Sequence, residues 1–491
     1  MANTRHTNNI DRHDVEAVNK KENRPLYKKR EKIHPKRVDG GFRRLKWWIM
    51  AATLGVYYIV PWLRWDRGPG IPDQAVLIDI PARRFYFAFI EIWPQEVYYL
   101  MGLLILSAFA LFLVTSLVGR AWCGYTCPQT VWTDLFLVVE RFVEGGRNKR
   151  IKLDRARLSV SKITKRIVKH AIWLLISVAT GGAWVFYFAD APTFFVELFT
   201  FKAPFVAYAT IGILTFITYT FGGLMREQVC TYMCPWPRIQ GAMMDEGSLT
   251  VTYKEQRGEP RGPIHKGQSW EGRGDCVDCN ACVAACPMGI DIRDGQQLEC
   301  ITCALCIDAC DTIMYRVGRP SGLIGYATLS GEEPPKDKKA LVRSLLRGRV
   351  LVYAALMAIV GGVMLFALLS RTDMDINVLR DRNPLYVKLS DGSIRNGFTF
   401  KVLNKSHLRR TFMLKITGVD NPEISVVGTH NLSRGMHHFI VEHDRVKSYR
   451  LFVAVSGENV KKTSTDIEFE LTDIDTGGTS TYNSVFRGPE K

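Results

Sequence analysis

The chain has 491 residues, a formal net charge of +17 and twelve cysteines. By length alone it would make about three soluble domains, yet its apolar and basic residues are segregated along the chain, which excludes an evenly mixed soluble protein. The basic residues cluster beside apolar stretches and no recognition motif accompanies them, so nucleic acid is excluded as a partner.

Residues 1–44 read as a polar, densely basic cytoplasmic arm with charge runs such as Tyr27-Lys28-Lys29-Arg30-Glu31-Lys32. Without apolar periodicity such a segment is expected to be disordered and held electrostatically to the headgroups of a lipid bilayer. Five apolar stretches, 45–63, 98–118, 171–191, 204–224 and 350–369, approach the roughly 20 residues a helix needs to span hydrocarbon. The first follows too long a polar segment to be a cleaved signal peptide and reads as an uncleaved anchor. Residues 85–93 are apolar but short, and suggest an interfacial or re-entrant segment.

Lys and Arg number twelve over residues 119–170 and sixteen over 225–349, against four over 64–97 and Lys202 alone over 192–203. The positive-inside rule then places the N-terminus and the 225–349 segment in the cytoplasm, with the tail outside. Cysteine usage agrees, because all twelve thiols fall on the reducing side and the tail has none.

The ends of the second and fourth stretches carry one repeated motif. One runs Arg120-Ala121-Trp122-Cys123-Gly124-Tyr125-Thr126-Cys127-Pro128; the other runs Arg226-Glu227-Gln228-Val229-Cys230-Thr231-Tyr232-Met233-Cys234-Pro235. Both read C-x-x-x-C-P after a nearby arginine. Cysteines four apart share a helix face, and the following proline places the second at a helix end. Thiolates are soft ligands for Cu(I), zinc or iron–sulfur centres, so Cys123, Cys127, Cys230 and Cys234 could form one metal and catalytic site; the bland alternative is four packed, inert thiols. Met233, Met243 and Met244 are expected to be core filler, and Arg120 and Arg226 to pair with lipid phosphates. An amphipathic membrane-surface helix is expected over 130–143, ended by Gly145-Gly146, and a Gly/Pro-rich linker over 247–275.

The most specific signal follows. Cys276-x-x-Cys279-x-x-Cys282-x-x-x-Cys286-Pro287 is succeeded by Cys300-x-x-Cys303-x-x-Cys306-x-x-x-Cys310, with Asp311 in place of the second proline. In the bacterial two-cluster arrangement the last cysteine of each run serves the other cluster. Two 4Fe–4S clusters are therefore expected, one on Cys276, Cys279, Cys282 and Cys310, the other on Cys300, Cys303, Cys306 and Cys286. Zinc also accepts four thiolates, but the doubled run is far more specific than an isolated C-x-x-C. The lost proline leaves the local bend undetermined.

The tail alternates Val, Ile, Phe and Thr with polar residues and shows turn signals about every ten residues, which predicts a β-sandwich of seven or eight strands. Met436, His437, His438 and His443 have metal-like spacing there, but read as solvated loop histidines.

The fold class is thus a multi-domain membrane protein: an α-helical membrane domain with five transmembrane helices, a bacterial-type two-cluster ferredoxin insert and a C-terminal all-β immunoglobulin-like sandwich. Its divisions are 1–44 (arm), 45–246 (four-helix membrane domain with both C-x-x-x-C-P motifs), 247–345 (cytoplasmic ferredoxin domain), 346–371 (fifth transmembrane helix) and 372–491 (periplasmic sandwich).

With these motifs in hand, the chain resembles the cytochrome c oxidase accessory protein family CcoG, also called FixG or RdxA, over essentially its whole length. The resemblance implies a multi-pass protein of the bacterial inner membrane. It also implies a role in maturing a cbb(3)-type oxidase, by reducing Cu(II) to Cu(I) at the C-x-x-x-C-P cysteines. Oxidase assembly factors or copper carriers would be partners, and quinol or a soluble reductant the electron donor. Two other readings stay open: a quinol-to-acceptor respiratory relay, and a non-redox assembly scaffold.

Overall fold

The computed structural model describes residues 12–18, 31–68, 71–264, 268–328, 346–406, 408–427, 433–434, 436–443, 445–460 and 462–489. The chain divides into two compact units, Met1–Met364 and Leu365–Lys491.

The first unit opens with α1 (Gly41–Ile59), extended by a tight turn over Val60–Trp62. Strands β1 (Val76–Asp79), β2 (Arg84–Phe87) and β3 (Ile90–Ile92) then form a small antiparallel sheet. The apolar 85–93 segment is therefore two strands and a tight connection rather than a re-entrant piece. Tyr86 and Trp93 are buried there, and the Arg84 guanidinium lies over the Trp93 ring at 4.0 Å while pairing with Glu91 at 3.0 Å.

Next come α2 (Tyr98–Val118), α3 (Ala121–Tyr125), α4 (Pro128–Glu144), α5 (Arg147–Arg155), α6 (Val160–Val185), α7 (Ala191–Phe199), α8 (Phe205–Ile217) and α9 (Trp236–Met243). After α8 the chain widens into π-helical turns at Thr218–Met225 and Val229–Met233. Then β4 (Leu249–Tyr253), α10 (Glu255–Gly258), α11 (Ala281–Ala285), α12 (Leu305–Arg316) and β5 (Ile324–Thr328) build the cysteine-rich lobe, and α13 (Gly348–Leu369) follows. Because β4 pairs antiparallel with β5, part of the expected 247–275 linker belongs to the lobe itself.

Among the described residues four helices are long and apolar enough to cross a membrane: Pro94–Val118, Val160–Val185, Phe205–Met225 and Gly348–Leu369. The 45–63 stretch is helical too, but α1 brings Arg43, Arg44 and Lys46 into its first turns, and that composition sets it apart from the four. The third stretch begins well before residue 171, because Ser159 caps α6 through the Lys162 N–H, and it ends before Asp190, which caps α7.

Helix α4 departs further from expectation. A membrane-surface helix has one wet face, whereas α4 buries Asp134, Phe136, Leu137, Glu140 and Glu144. Gly145 does end it, with φ 92° and its N–H donated to the Arg141 carbonyl.

The basic arm is likewise not simply a lipid tether where it is described. Ile33 and Val38 are buried, and the His13 and Lys36 N–H groups donate to the carbonyls of Cys279 and Ala284. Most of the 27–32 charge run lies outside the described residues.

In the second unit ten strands are described: β6 (Met374–Arg380), β7 (Val387–Lys388), β8 (Ile394–Asn404), β9 (Arg410–Thr417), β10 (Glu423–Val426), β11 (Ser433–Arg434), β12 (Met436–Val441), β13 (Arg445–Val455), β14 (Ser464–Asp473) and β15 (Thr479–Arg487). They form a sheet β11-β10-β13-β8-β6, with β7 also on β8, and a second sheet β12-β9-β14-β15. The expectation of seven or eight undercounts because β7 and β11 are two-residue strands. Phe398, Phe400 and Val402 point inward from β8 at period two and meet Phe412, Phe439 and Phe469 in a common core.

Candidate functional site

Each cysteine run of the lobe wraps a loop and then starts a helix. The residues flanking the second cysteine of each run are left-handed: Asp278 and Asn280 with φ 49° and 55°, Thr302 and Ala304 with φ 54° and 59°. Two such inversions curl the loop so that successive cysteines turn toward one centre. Asp and Asn tolerate this conformation well, Thr and Ala less so. The third cysteine of each run then falls in the first turn of α11 or α12.

The two runs end differently. Cys286 precedes Pro287, takes an extended conformation and stops α11. Cys310 lies inside α12, which continues to Arg316 because Asp311, unlike proline, keeps a backbone N–H for the helix. The bend that the missing proline left open is therefore absent; Asp311 instead accepts the Gly322 N–H at 2.7 Å.

The eight thiols line two cavities. Cys276, Cys279, Cys282 and Cys310 line one cavity with Val277, Ile313 and Leu323. Cys286, Cys300, Cys303 and Cys306 line a second with Val251, Ile290 and Ile292, and Cys282 borders it too. Burial pushes the Cys282 and Cys286 thiols up to about 12 and Cys300 up to about 11, and lifts Cys306 well above the ordinary thiol range. Sulfur donors facing apolar walls are neutral thiols until cationic iron compensates them, so binding here releases protons. Among the described residues no three His, Cys, Asp or Glu side chains are drawn together tightly enough to hold one metal ion.

The C-x-x-x-C-P motifs fold as a structural repeat. Each begins with a left-handed residue four positions before the first cysteine: Gly119 with φ 56° and Arg226 with φ 47°. In each, the second cysteine is extended (Cys127 φ −56°, ψ 128°; Cys234 φ −79°, ψ 123°), and its proline opens a new helix, α4 or α9. The prolines start helices as well as ending them.

Arg120 and Arg226 are therefore not equivalent, and both turn inward rather than toward lipid. Arg120 is 4% exposed and donates to the carbonyls of Leu298, Cys300 and Pro237. Arg226 donates to Glu140 at 2.7 Å and to the Gly223 carbonyl at 2.8 Å.

The repeat brings its cysteines together. Burial pushes Cys123 and Cys230 up to about 12 and raises Cys127, and the charges of neighbouring cysteines, Cys234 included, add to each shift. The Cys123 thiol donates to Gln240 Oε1 at 3.1 Å. Met233 is half exposed and so is not the core filler expected, because it lies in the exposed turn just before Cys234, while Met243 accepts the Tyr353 hydroxyl at 3.3 Å.

Sequence reasoning missed the charged group beneath the second motif. Glu140, fully buried, meets Arg226 at 2.7 Å, Arg150 at 3.3 Å, Lys32 at 3.5 Å and Lys169 at 3.8 Å. Burial alone would raise its carboxyl, but Arg226, Lys32, Arg150 and Lys169 hold it down to about 2. The available signal was Asp134 and Glu140 recurring within the apolar face of α4. In the second unit, His437 is buried and His438 exposed on successive positions of β12. Adjacent strand residues face opposite ways, so the pair cannot share a metal.

Family models described as a 4Fe-4S dicluster domain and a 4Fe-4S binding domain match residues 225–329 and 100–144, and one described as the IG-like fold at the C-terminus of FixG matches residues 364–489. The nitrogen fixation protein FixG of Rhizobium meliloti is 56% identical over 475 residues, covering 91% of both chains. Protein RdxB of Cereibacter sphaeroides is 55% identical over 82% of this chain and 85% of its own, and protein RdxA of the same organism 54% identical over 83% and 87%. A crystal structure of a FixG-related protein from Vibrio parahaemolyticus aligns along its whole length with 24% of this chain, at 23% identity and a TM-score of 0.21. With two crossed thiol sets, a paired C-x-x-x-C-P repeat and relatives matched along most of their length, the chain is a membrane iron–sulfur protein of the FixG/RdxA family.

Proposed function

We propose that this chain is a membrane electron-transfer protein that reduces Cu(II) to Cu(I) for assembly of a cbb(3)-type oxidase. The observation that carries this reading is the gathering of Cys123, Cys127, Cys230 and Cys234 beside the cysteine-rich lobe, where Cys123 and Cys230 pack against Met288, Ile301 and Leu305. Two 4Fe–4S clusters held by the eight lobe cysteines supply one-electron chemistry when bound.

Copper is the substrate in this reading. Its reduction takes one electron and moves no proton, so the site needs soft ligands and no general acid. Thiolates from two of the four cysteines are enough to favour Cu(I) over Cu(II). Burial holds the Cys123, Cys127 and Cys230 thiols neutral in the free protein, so a metal bound by them displaces protons.

The charge distribution supports a cytoplasmic N-terminus and lobe, a fifth crossing by α1, and an outer C-terminal unit placed to meet oxidase assembly factors or copper carriers. The electron donor is quinol or a soluble reductant.

The test uses anaerobically purified full-length protein. Replacing Cys123 and Cys127, or Cys230 and Cys234, by serine should leave iron and sulfide content unchanged. Cu(II) reduction should nonetheless fall sharply, because the soft ligands that favour Cu(I) are gone. Full reduction by both double variants would make these cysteines packing residues and return the reading to a respiratory relay or a scaffold.

A further inference from the structure

The two lobe sites differ in how they face the C-x-x-x-C-P thiols. Cys123 and Cys230 pack into a small core made of Met288, Ile290, Ile301, Cys303 and Leu305, with Cys286 and Cys300 at its edge. Three cysteines of the set Cys286, Cys300, Cys303 and Cys306 belong to it. The core that holds Cys276, Cys282 and Cys310 contains none of the four C-x-x-x-C-P cysteines.

Three residues of the first motif fasten this arrangement. Gly124 lies flat on the cysteine loop, where an added Cβ would meet the Ile301 carbonyl oxygen at 2.6 Å, Cys303 Cα at 3.0 Å and Cys303 N at 3.1 Å. Those atoms are backbone and cannot swing aside. Tyr125, buried beside it, donates its hydroxyl to the Cys303 carbonyl at 3.2 Å. Arg120 ties the Leu298 and Cys300 carbonyls to that of Pro237, at the start of the helix that follows the second motif. The loop of one site is thereby joined to both thiol pairs at once. The other site is capped instead by the N-terminal segment, through His13 N–H to the Cys279 carbonyl and Arg12 to Asp278 at 2.7 Å.

We infer that the Cys286, Cys300, Cys303 and Cys306 site is the electron exit of this chain, and that Gly124, Tyr125 and Arg120 are positioning residues that hold its loop against the C-x-x-x-C-P thiols. The inference deepens the copper-reducing reading and takes its acceptor from it. One electron leaves the reduced iron–sulfur site and converts Cu(II) to Cu(I); no proton or covalent bond is transferred.

The test is Gly124→Val in the full-length protein, reduced with dithionite and mixed anaerobically with Cu(II). Iron content and the low-temperature spin signals of both reduced sites should match the native protein. Reoxidation by Cu(II) should slow severalfold, because electron transfer weakens with every ångström added between donor and acceptor. Hydrogen exchange should show lost protection at residues 301–303 and none at 277–279, a pattern that general destabilisation would not give. Should Gly124→Val fail to accumulate, Gly124→Ala and Tyr125→Phe are read in the same way, with smaller changes in the same direction. A variant that keeps the native reoxidation rate and native protection over 301–303 overturns the inference. Native protein that passes no electrons to Cu(II) overturns the copper reading instead.

Discussion

The two C-x-x-x-C-P hairpins share a motif, a left-handed entry residue and a helix-opening proline, yet they are anchored by opposite means. The first is held through backbone contact: Gly119 and Gly124 leave no room for a Cβ against neighbouring carbonyls. The second is held through charge: Arg226 accepts a left-handed conformation that glycine would take more cheaply, and its guanidinium meets the buried Glu140. The repeat supplies the thiols, while residues outside the repeat decide what each hairpin is fixed to. Chemistry can thus stay symmetric while position does not.

The largest way to break the comparison is at Glu140. Glu140→Ala leaves Arg226, Arg150 and Lys169 facing one another without their shared anion, and removing one partner from a buried charge group costs about 3–5 kcal/mol. Thermal unfolding in detergent should show that loss, with the second hairpin released first in limited proteolysis and the first one retained.

Acid should act on the same hairpin. Glu140 is held at about 2 in the folded protein against an ordinary 4.5, so its contribution is fully present above 4.5 and is lost as pH falls through about 2. The Glu140→Ala variant should therefore show a flatter decline of stability over that window, measured by denaturant midpoint. Equal acid slopes in the two proteins would mean that Glu140 is not the group being titrated.

At the first hairpin, Gly119→Val combines a φ of 56° with a Cβ 3.0 Å from the Leu249 carbonyl oxygen. A loss of about 1–3 kcal/mol is expected for a branched residue in that region, with no change in acid slope, since no charge is involved. The smallest effect is reserved for Gln240→Leu. It removes the acceptor of the Cys123 thiol and a long donor contact to Thr115 Oγ1 and should cost about 1–2 kcal/mol, the net worth of two hydrogen bonds.

What could be read in the sequence was whatever is local. Cysteine spacing within a run, proline after cysteine and apolar length are short-range facts, and the looped cysteine runs, the extended pre-proline cysteines and the four long apolar helices follow from them. The arm was misread as a free tether because its contacts are remote: His13 meets Cys279, and Lys36 meets Ala284. The 85–93 segment was misread because a short apolar run serves a buried strand as well as a membrane surface. Helix α4 was misread because its periodicity counted apolar residues and passed over Asp134 and Glu140, whose partners lie in α1, α5, α6, the arm and the turn before the second motif. The inequivalence of Arg120 and Arg226 begins in a one-residue offset visible in the sequence, three residues before Cys123 against four before Cys230, but its result, different partners for each guanidinium, needed the fold.

The start of α1 has a consequence for biogenesis. Its N-cap position is Gly40, which has no side chain to offer, and the Phe42 and Arg43 N–H groups are instead accepted by Asp308, at 3.2 Å and 2.7 Å. A Cβ on Gly40 would overlap that carboxyl. Asp308 lies between Cys306 and Cys310, 265 residues after Arg43, so the first helix cannot complete its opening turn until the cysteine-rich lobe has been made and closed. Loop closure over such a distance is slow. A chain whose cysteine-rich lobe has not closed therefore leaves the Phe42 and Arg43 N–H groups without these acceptors, so the start of the first helix reports on the state of the lobe.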